Sequence, residues 1–165
     1  MTAVVLIGAP GAGKTRTGRR VARLLGVPFV DTDKRIVAAN GPIAEIFARY
    51  GEPHFRTLER NEVAKALTEN AVVTLGAGAV LSPETQALLA GHRVVQLTVK
   101  PEAVAVRIAD GKRPLLANGV DGWEALVASR QPIYDRLSQH SIDTSRRPLD
   151  GVAAEIVTWL KENPA

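Results

Sequence analysis

The chain has 165 residues, 45% of them apolar, and carries a net charge of +4. This length and apolar content are typical of one globular domain with a sizeable core. The absence of cysteine excludes disulfides and thiolate metal sites. No apolar run is long enough to span a membrane, and the N-terminal run leads into a glycine-rich segment rather than a cleavage site, so we expect a cytoplasmic protein without a signal peptide.

The first chemical motif is Gly8-Ala-Pro-Gly-Ala-Gly-Lys-Thr15, directly after an apolar run at residues 4–7. Its spacing fits the phosphate-binding loop G-x-x-x-x-G-K-[ST], in which glycines let backbone amides curl around an anion. In such loops the lysine reaches the β and γ phosphates and the hydroxyl binds Mg²⁺, roles that fall here to Lys14 and Thr15. The alternative is a glycine-rich turn with an incidental Lys-Thr. A strand before the motif and an amphipathic helix after it favour binding of a nucleoside triphosphate with magnesium.

Four arginines follow at a spacing that places them on one face of the next helix: Arg16, Arg19, Arg20 and Arg23. A basic face can bind nucleic acid or can be a solvated surface that also attracts an anionic nucleotide. We favour the second interpretation, because no zinc knuckle, RNP-like aromatic motif or helix-turn-helix pattern accompanies the arginines. We therefore expect no nucleic-acid partner.

Strand and helix patterns alternate along the rest of the chain. Apolar runs of strand length lie at residues 4–7, 28–30, 72–75 and 94–97, with a weaker run at 141–143. Helices are predicted after Pro42, after an N-cap at Ser82 and from about Leu149. Alternation of this kind predicts one α/β domain, residues 1–165, with a central parallel five-stranded sheet flanked by helices. Ligands of such sheets bind at the carboxyl ends of the strands.

The second strand is followed by Asp31-Thr-Asp33. Residues two apart on an extended chain point the same way, so both carboxylates are expected to face the phosphate loop. One would order the Mg²⁺ hydration shell, and the other would orient and deprotonate an acceptor hydroxyl. The alternative role for Asp31 is as a helix N-cap.

Two further segments allow two interpretations each. The glycines of Leu75-Gly-Ala-Gly-Ala79 would let backbone amides approach a ligand, or they form a plain turn between strand and helix. Residues 109–119 combine terminal glycines with a central Lys-Arg-Pro. They are either a mobile lid that brings a cation over the phosphates or an ordinary surface loop.

The ordered motifs GAPGAGKT, VDTD, GEPHFRTLE, LGAGAV, RPLL, SRQPIY and DTSRR resemble those of the shikimate kinases, small P-loop proteins similar to nucleoside monophosphate kinases. The match runs from Val4 to about Arg147. The resemblance implies a P-loop kinase fold with a phosphate loop at 8–15, a substrate-binding segment at about 31–60 and a lid at about 109–119. It also implies Mg²⁺-dependent transfer of phosphate from ATP to the 3-hydroxyl of shikimate, in aromatic amino acid (chorismate) biosynthesis.

The resemblance also implies roles for individual residues. The catalytic residues would be Lys14, Asp33 and Arg113. The nucleotide would be bound by Gly11, Ala12, Gly13, Lys14, Thr15, Arg16, Arg107, Arg113 and Arg147. Shikimate would be bound by Asp33, Arg56, Gly76, Ala77, Gly78 and Arg130, with both arginines on its carboxylate. Mg²⁺ would be held by Thr15 and by Asp31 through water.

Two departures and several alternatives bear on this interpretation; the first departure is that the lid before Arg113 is shorter than is usual in the family. The family usually has three glycines where this chain has Gly76-Ala77-Gly78, and Ala77 would be strained if that backbone were left-handed. Another small hydroxylated acid, such as gluconate, or a nucleotide is an alternative acceptor. A non-catalytic module would bind ATP without acceptor-stimulated ADP release. No exposed apolar stripe is evident, so we expect a monomer.

Overall fold

The computed structural model describes residues 1–108 and 119–165. In these ranges the elements are β1 (Val4–Gly8), α1 (Lys14–Leu25), β2 (Phe29–Asp31), α2 (Thr32–Asn40), α3 (Ile43–Tyr50), α4 (Glu52–Ala66), β3 (Val72–Thr74), a 3₁₀ turn (Ala79–Leu81), α5 (Pro83–Leu89), β4 (Val94–Thr98), α6 (Pro101–Ile108), α7 (Gly119–Leu137), β5 (His140–Asp143) and α8 (Leu149–Glu162). The strands form one parallel sheet in the order β2-β3-β1-β4-β5. The predicted α/β class and five-stranded parallel sheet are confirmed. No helix of the described ranges is long and apolar enough to cross a membrane.

The apolar core is divided by the sheet into two parts. Val4 and Leu6 of β1 pack on one face with α1 and α8, whereas Val5 and Ile7 pack on the other with α4, α5 and α7. Both faces of β1 are therefore covered, which explains its continuous apolar sequence. Full burial of such side chains stabilises the fold by about 1.5–3 kcal/mol each.

A third, smaller cluster joins the three helices between β2 and β3. Ile36 of α2, Ile46 of α3 and Phe55 of α4 pack together there. This unit covers most of the segment expected to bind substrate, and it lies at the carboxyl edge of the sheet because α2 starts directly after β2. The phosphate loop follows β1 at the same edge, where a parallel sheet gathers its ligand groups.

Candidate active site

The phosphate loop connects β1 to α1, as its spacing predicts. Gly11 and Gly13 have φ of 86° and 88°, a region that residues with a Cβ rarely adopt. The first residue of α1 is Lys14, so the positive end of the helix dipole lies at the loop. The Lys14 ammonium donates hydrogen bonds to the carbonyl oxygens of Gly8 at 2.7 Å and Ala9 at 3.0 Å. The loop therefore combines the backbone of an anion site with a nearby cation.

A cleft of about 490 Å³ opens beside the loop and is lined in part by Arg16, Arg107 and Arg147. Arg107 of α6 donates to the carbonyl oxygen of Gly11 and, at 3.1 Å, to that of Thr144. Arg147 donates to a Glu155 carboxylate oxygen at 2.5 Å. Three of the four arginines expected to contact the nucleotide thus lie around one cavity next to the loop, and the fourth, Arg113, lies outside the described residues.

Asp31 has two structural roles at once. Its Oδ1 accepts the Lys34 backbone N–H at 3.2 Å and caps α2, while its Oδ2 accepts the Thr15 hydroxyl at 3.1 Å. The N-cap role and the position expected for a metal site are therefore compatible. No group of three or more His, Cys, Asp or Glu side chains that could hold a metal occurs in the described ranges. Mg²⁺ commonly uses one or two protein oxygens together with water and substrate phosphates, and Thr15 with Asp31 fits that donor set.

The expectation that Asp31 and Asp33 extend from one strand is wrong. Asp31 is the last residue of β2, and Asp33 lies in the first turn of α2 because the helix starts at Thr32. Asp33 still lies near the loop, because the Lys14 charge acts on its pKa against the effect of burial. Its Oδ1 is buried and has no hydrogen-bond partner in the structure. Burial raises the pKa of Asp33 to about 6, with further increases from the Glu59 and Asp31 charges.

The glycines after β3 accommodate two of the candidate site residues. A Cβ at Gly76 would lie 2.8 Å from both Asp33 carboxylate oxygens, and one at Gly78 would lie 2.7 Å from an Arg56 nitrogen. Either Cβ would require the carboxylate or the guanidinium to shift, so the two glycines leave room for these charged groups. No non-glycine residue of the described ranges has a positive φ. The backbone at Ala77 is therefore not left-handed, and its methyl group causes no strain of that kind.

Arg56 is held by acidic groups of its own helix, α4. It donates to Glu59 at 2.8 Å and to Glu52 at 3.3 Å. The Glu59 side chain is only 4% exposed, and its burial raises the pKa of its carboxyl against the opposing effect of Arg56 and Arg130. The two arginines expected to bind an acid therefore lie around one buried carboxylate.

Arg130 of α7 also lies close to a buried phenol. The Tyr134 hydroxyl donates to the carbonyl oxygen of Ala77 at 2.7 Å. Burial raises the pKa of Tyr134, and the nearby Arg130 guanidinium opposes that rise. Tyr134 thus joins α7 to the glycine segment after β3, and it places Arg130 at the same side of the site as Arg56.

Sequence reasoning missed the roles of Glu59 and Tyr134. Glu59 follows Arg56 by three residues, which is contact distance on a helix, so this spacing was an available signal. Tyr134 stands in the quoted SRQPIY motif, but its partner Ala77 is 57 residues away in the chain. Asp135, which follows Arg130 by five residues on α7, accepts hydrogen bonds from Gln96 and Gln131.

Arg113 and nearly all of the predicted lid lie outside the described residues. Of that segment, the structure describes Gly119, which begins α7. The basic face of α1 has the predicted orientation: Gly18, Val21 and Ala22 are buried on the opposite face, and Arg20 pairs with Asp150 at 2.6 Å.

Known proteins that are similar to this chain indicate its family. The family model described as shikimate kinase matches residues 10–161. A Mycobacterium avium protein named shikimate kinase is 46% identical, in an alignment that covers 98% of this chain and 94% of the relative. A Salinispora tropica protein of the same name is 48% identical over 94% of this chain and 96% of the relative.

Solved structures give the same result. Shikimate kinase from Acinetobacter baumannii in complex with shikimate has a TM-score of 0.90 and 32% identity, over 98% of this chain and 93% of that chain. Shikimate kinase from Bacteroides thetaiotaomicron has a TM-score of 0.88 and 28% identity, over 96% of this chain and 97% of that chain. The ordered motifs, the sheet and these likenesses together place this protein: it belongs to the shikimate kinase family.

Proposed function

We propose that the protein transfers the γ-phosphate of ATP to the 3-hydroxyl of shikimate and releases shikimate 3-phosphate and ADP. The observation that carries the proposal is the position of the buried, unpartnered Asp33 carboxylate oxygen. It lies in an environment shared by the phosphate-loop lysine, Lys14, and the acid-binding candidate Arg56, since both charges act on its pKa. A hydroxylated acid bound to Arg56 would present a hydroxyl to Asp33 beside the loop.

The nucleotide side of the site is proposed from the loop and the cleft. The phosphates would be bound by the backbone and side chains of Gly11, Ala12, Gly13, Lys14, Thr15 and Arg16. Arg107 and Arg147 would contact the base or ribose, since both line the cleft that continues from the loop. Thr15 and Asp31 would hold Mg²⁺, which neutralises phosphate charge and orients the transferring group.

The acceptor side is proposed from the arginines. A guanidinium matches a carboxylate in two parallel hydrogen bonds, and Arg56 and Arg130 lie around the buried Glu59. The shikimate carboxylate would bind these arginines, and the backbone at Gly76, Ala77 and Gly78 would line the same pocket.

Catalysis then needs alignment and charge neutralisation more than covalent chemistry. Asp33 would accept a hydrogen bond from the attacking hydroxyl and take its proton. Lys14 would stabilise the charge on the transferring phosphoryl group. The family resemblance assigns a second cationic role to Arg113. We propose that the protein works in the cytoplasm as a monomer, without nucleic-acid or membrane partners.

The test is ADP release from MgATP with a panel of acceptors. Shikimate should stimulate release, whereas gluconate and nucleoside monophosphates should not. Preference for another acceptor would support a different small-molecule kinase. Binding of ATP without stimulation by any acceptor would instead support the non-catalytic module.

A further inference from the structure

The carbonyl groups of the phosphate loop accept hydrogen bonds from side chains. Gly8 and Ala9 accept from Lys14, Pro10 from the Trp123 indole N–H at 2.7 Å, Gly11 from Arg107, and Ala12 from the Thr144 hydroxyl at 2.7 Å. Three of these donors lie far along the chain, on α6, on α7 and just after β5. The loop is therefore held from outside by several elements.

Holding a carbonyl also orients an amide. A peptide unit is planar and trans, so its C=O and N–H point in opposite directions. The Trp123 bond to the Pro10 oxygen consequently sets the direction of the Gly11 N–H, and the Thr144 bond to the Ala12 oxygen sets that of the Gly13 N–H. An anion site needs its amides turned inward, and a peptide flip would present a repelling carbonyl instead.

Trp123 differs from the cationic donors in this set. Lys14 and Arg107 are expected to respond to bound nucleotide, because phosphates attract positive charge. The indole N–H is neutral, so bound phosphates attract it less strongly than they attract the two cations, and its bond to Pro10 is less affected by the ligand. Trp123 is 3% exposed and packs in the core cluster that also contains Ala9 and Ala12. Its ring is thus a rigid, neutral support for the loop.

We infer that Trp123 is a positioning residue for phosphoryl transfer, whose indole N–H keeps the Gly11 amide turned toward the nucleotide phosphates. This inference rests on the proposed function, because it takes ATP as the ligand of the loop. Trp123→Phe keeps an aromatic ring in the core but removes the donor. The Pro10–Gly11 peptide then loses the bond that orients it.

The experiment compares native protein, Trp123→Phe and a control, Trp159→Phe. Trp159 lies on α8 and stacks on His140, with 5.5 Å between the ring centroids. We expect the Kd of MgATP to rise about fivefold to tenfold in Trp123→Phe, the scale of one lost buried hydrogen bond. We also expect kcat to fall, because misplaced phosphates react slowly. The Kd of shikimate, and both constants of Trp159→Phe, should stay near native values.

This pattern separates positioning from a purely structural role. Lost packing alone would lower the melting temperature and the active fraction, but would leave the Kd of MgATP unchanged in the folded molecules. The inference would be overturned if the Trp123→Phe variant folds and binds MgATP with the same Kd as the native protein. If the native protein itself does not bind MgATP, the proposed function is wrong.

A spectroscopic measurement covers the case in which Trp123→Phe does not fold. The chain has two tryptophans, so Trp159→Phe leaves Trp123 as the single indole. The fluorescence emission of Trp123 should shift on saturation with MgADP. Phosphates bound at the Gly11 amide would change the electrostatic field at the Pro10 carbonyl, to which the indole is hydrogen-bonded. Emission that does not change on saturation would contradict the coupling between Trp123 and the loop.

Discussion

Asp33 combines two properties suited to a group that orients a hydroxyl. One carboxylate oxygen is buried without a partner, and burial raises the pKa of the group to about 6, with Glu59 and Asp31 adding to the rise. Lys14 and Arg56 oppose it. Asp33 is therefore ionised near neutral pH but remains a better proton acceptor than an ordinary aspartate.

Asp33→Asn should lower kcat at pH 7.5 by about 10²-fold or more, the range typical of general-base groups. The amide keeps the shape of the side chain but loses its charge and basicity. Calorimetry should find the Kd of MgATP nearly unchanged. Asp121→Asn, at an exposed position of α7, serves as a control and should behave as native protein. Native kcat in Asp33→Asn would remove Asp33 from the proposed mechanism.

The same substitution predicts a pH-dependent change in stability. The pKa of Asp33 is about 6 in the folded protein and 3.8 in the unfolded chain. The folded protein therefore binds the proton more tightly than the unfolded chain does. The free energy of unfolding consequently falls as pH rises from about 4 to about 6. Asp33→Asn should remove this loss and raise the free energy of unfolding at pH 7.5, by an upper bound of about 3 kcal/mol. Urea denaturation should find the gain absent at pH 3.5. An equal gain at both pH values would contradict this origin.

Glu59 and Glu52 offer a matched pair for testing how Arg56 is held. Both bond the same guanidinium, but the Glu59 side chain is 4% exposed and that of Glu52 is 59% exposed. Glu59→Gln should raise the KM for shikimate about tenfold, because hydrogen bonds between buried charged groups contribute about 1.5–3 kcal/mol. Glu52→Gln should have little effect, as exposed pairs contribute little.

Glu59→Gln should also change the pH dependence. The Glu59 charge raises the pKa of Asp33, so its removal should move the acidic limb of the kcat/KM profile to lower pH. Steady-state kinetics between pH 5 and 8 would measure both effects. Equal KM values in the two glutamine variants would show that burial of Glu59 is unimportant for Arg56.

At the scale of elements, α7 connects the two sides of the site. Trp123 near its start bonds the phosphate loop, and Tyr134 further along bonds Ala77 beside Arg130. Tyr134→Phe should raise the KM for shikimate about threefold to tenfold, because the Ala77 carbonyl loses its donor. The Kd of MgATP should not change. Tyr50→Phe, at an exposed position, is the control. A native KM for shikimate in Tyr134→Phe would exclude a positioning role.

The sequence predicted elements better than contacts. Apolar runs placed every strand within one residue at each end, and Ser82 caps α5 as expected, because these signals are local. The position of Asp33 was predicted for the wrong reason, since nothing local marked the immediate change from β2 to α2. The contacts of Trp123 and Tyr134 join residues 113 and 57 positions apart, and only the assembled sheet brings them together.

The whole molecule should be stabilised by its ligands. A ligand that binds only the folded state adds about 2.7 kcal/mol to the free energy of unfolding when its concentration is 100 times its Kd. MgATP and shikimate should therefore each raise the melting temperature. In Lys14→Met the increase with MgATP should be much smaller, while the increase with shikimate should persist, because the arginines proposed to bind the acid lie on α4 and α7. Loss of both increases would indicate a misfolded variant rather than a damaged loop.

Under the proposed function, the site aligns a carboxylate-bearing acceptor with the γ-phosphate of ATP. The most direct test incubates the protein with MgATP and either shikimate or its methyl ester, and follows ADP release and the phosphorus NMR spectrum of the product. We expect rapid ADP release with shikimate, one phosphomonoester at the 3-hydroxyl, and weak turnover of the ester because Arg56 and Arg130 lose their anionic partner. Equal turnover of acid and ester, or ADP release without a phosphorylated acid, would contradict it.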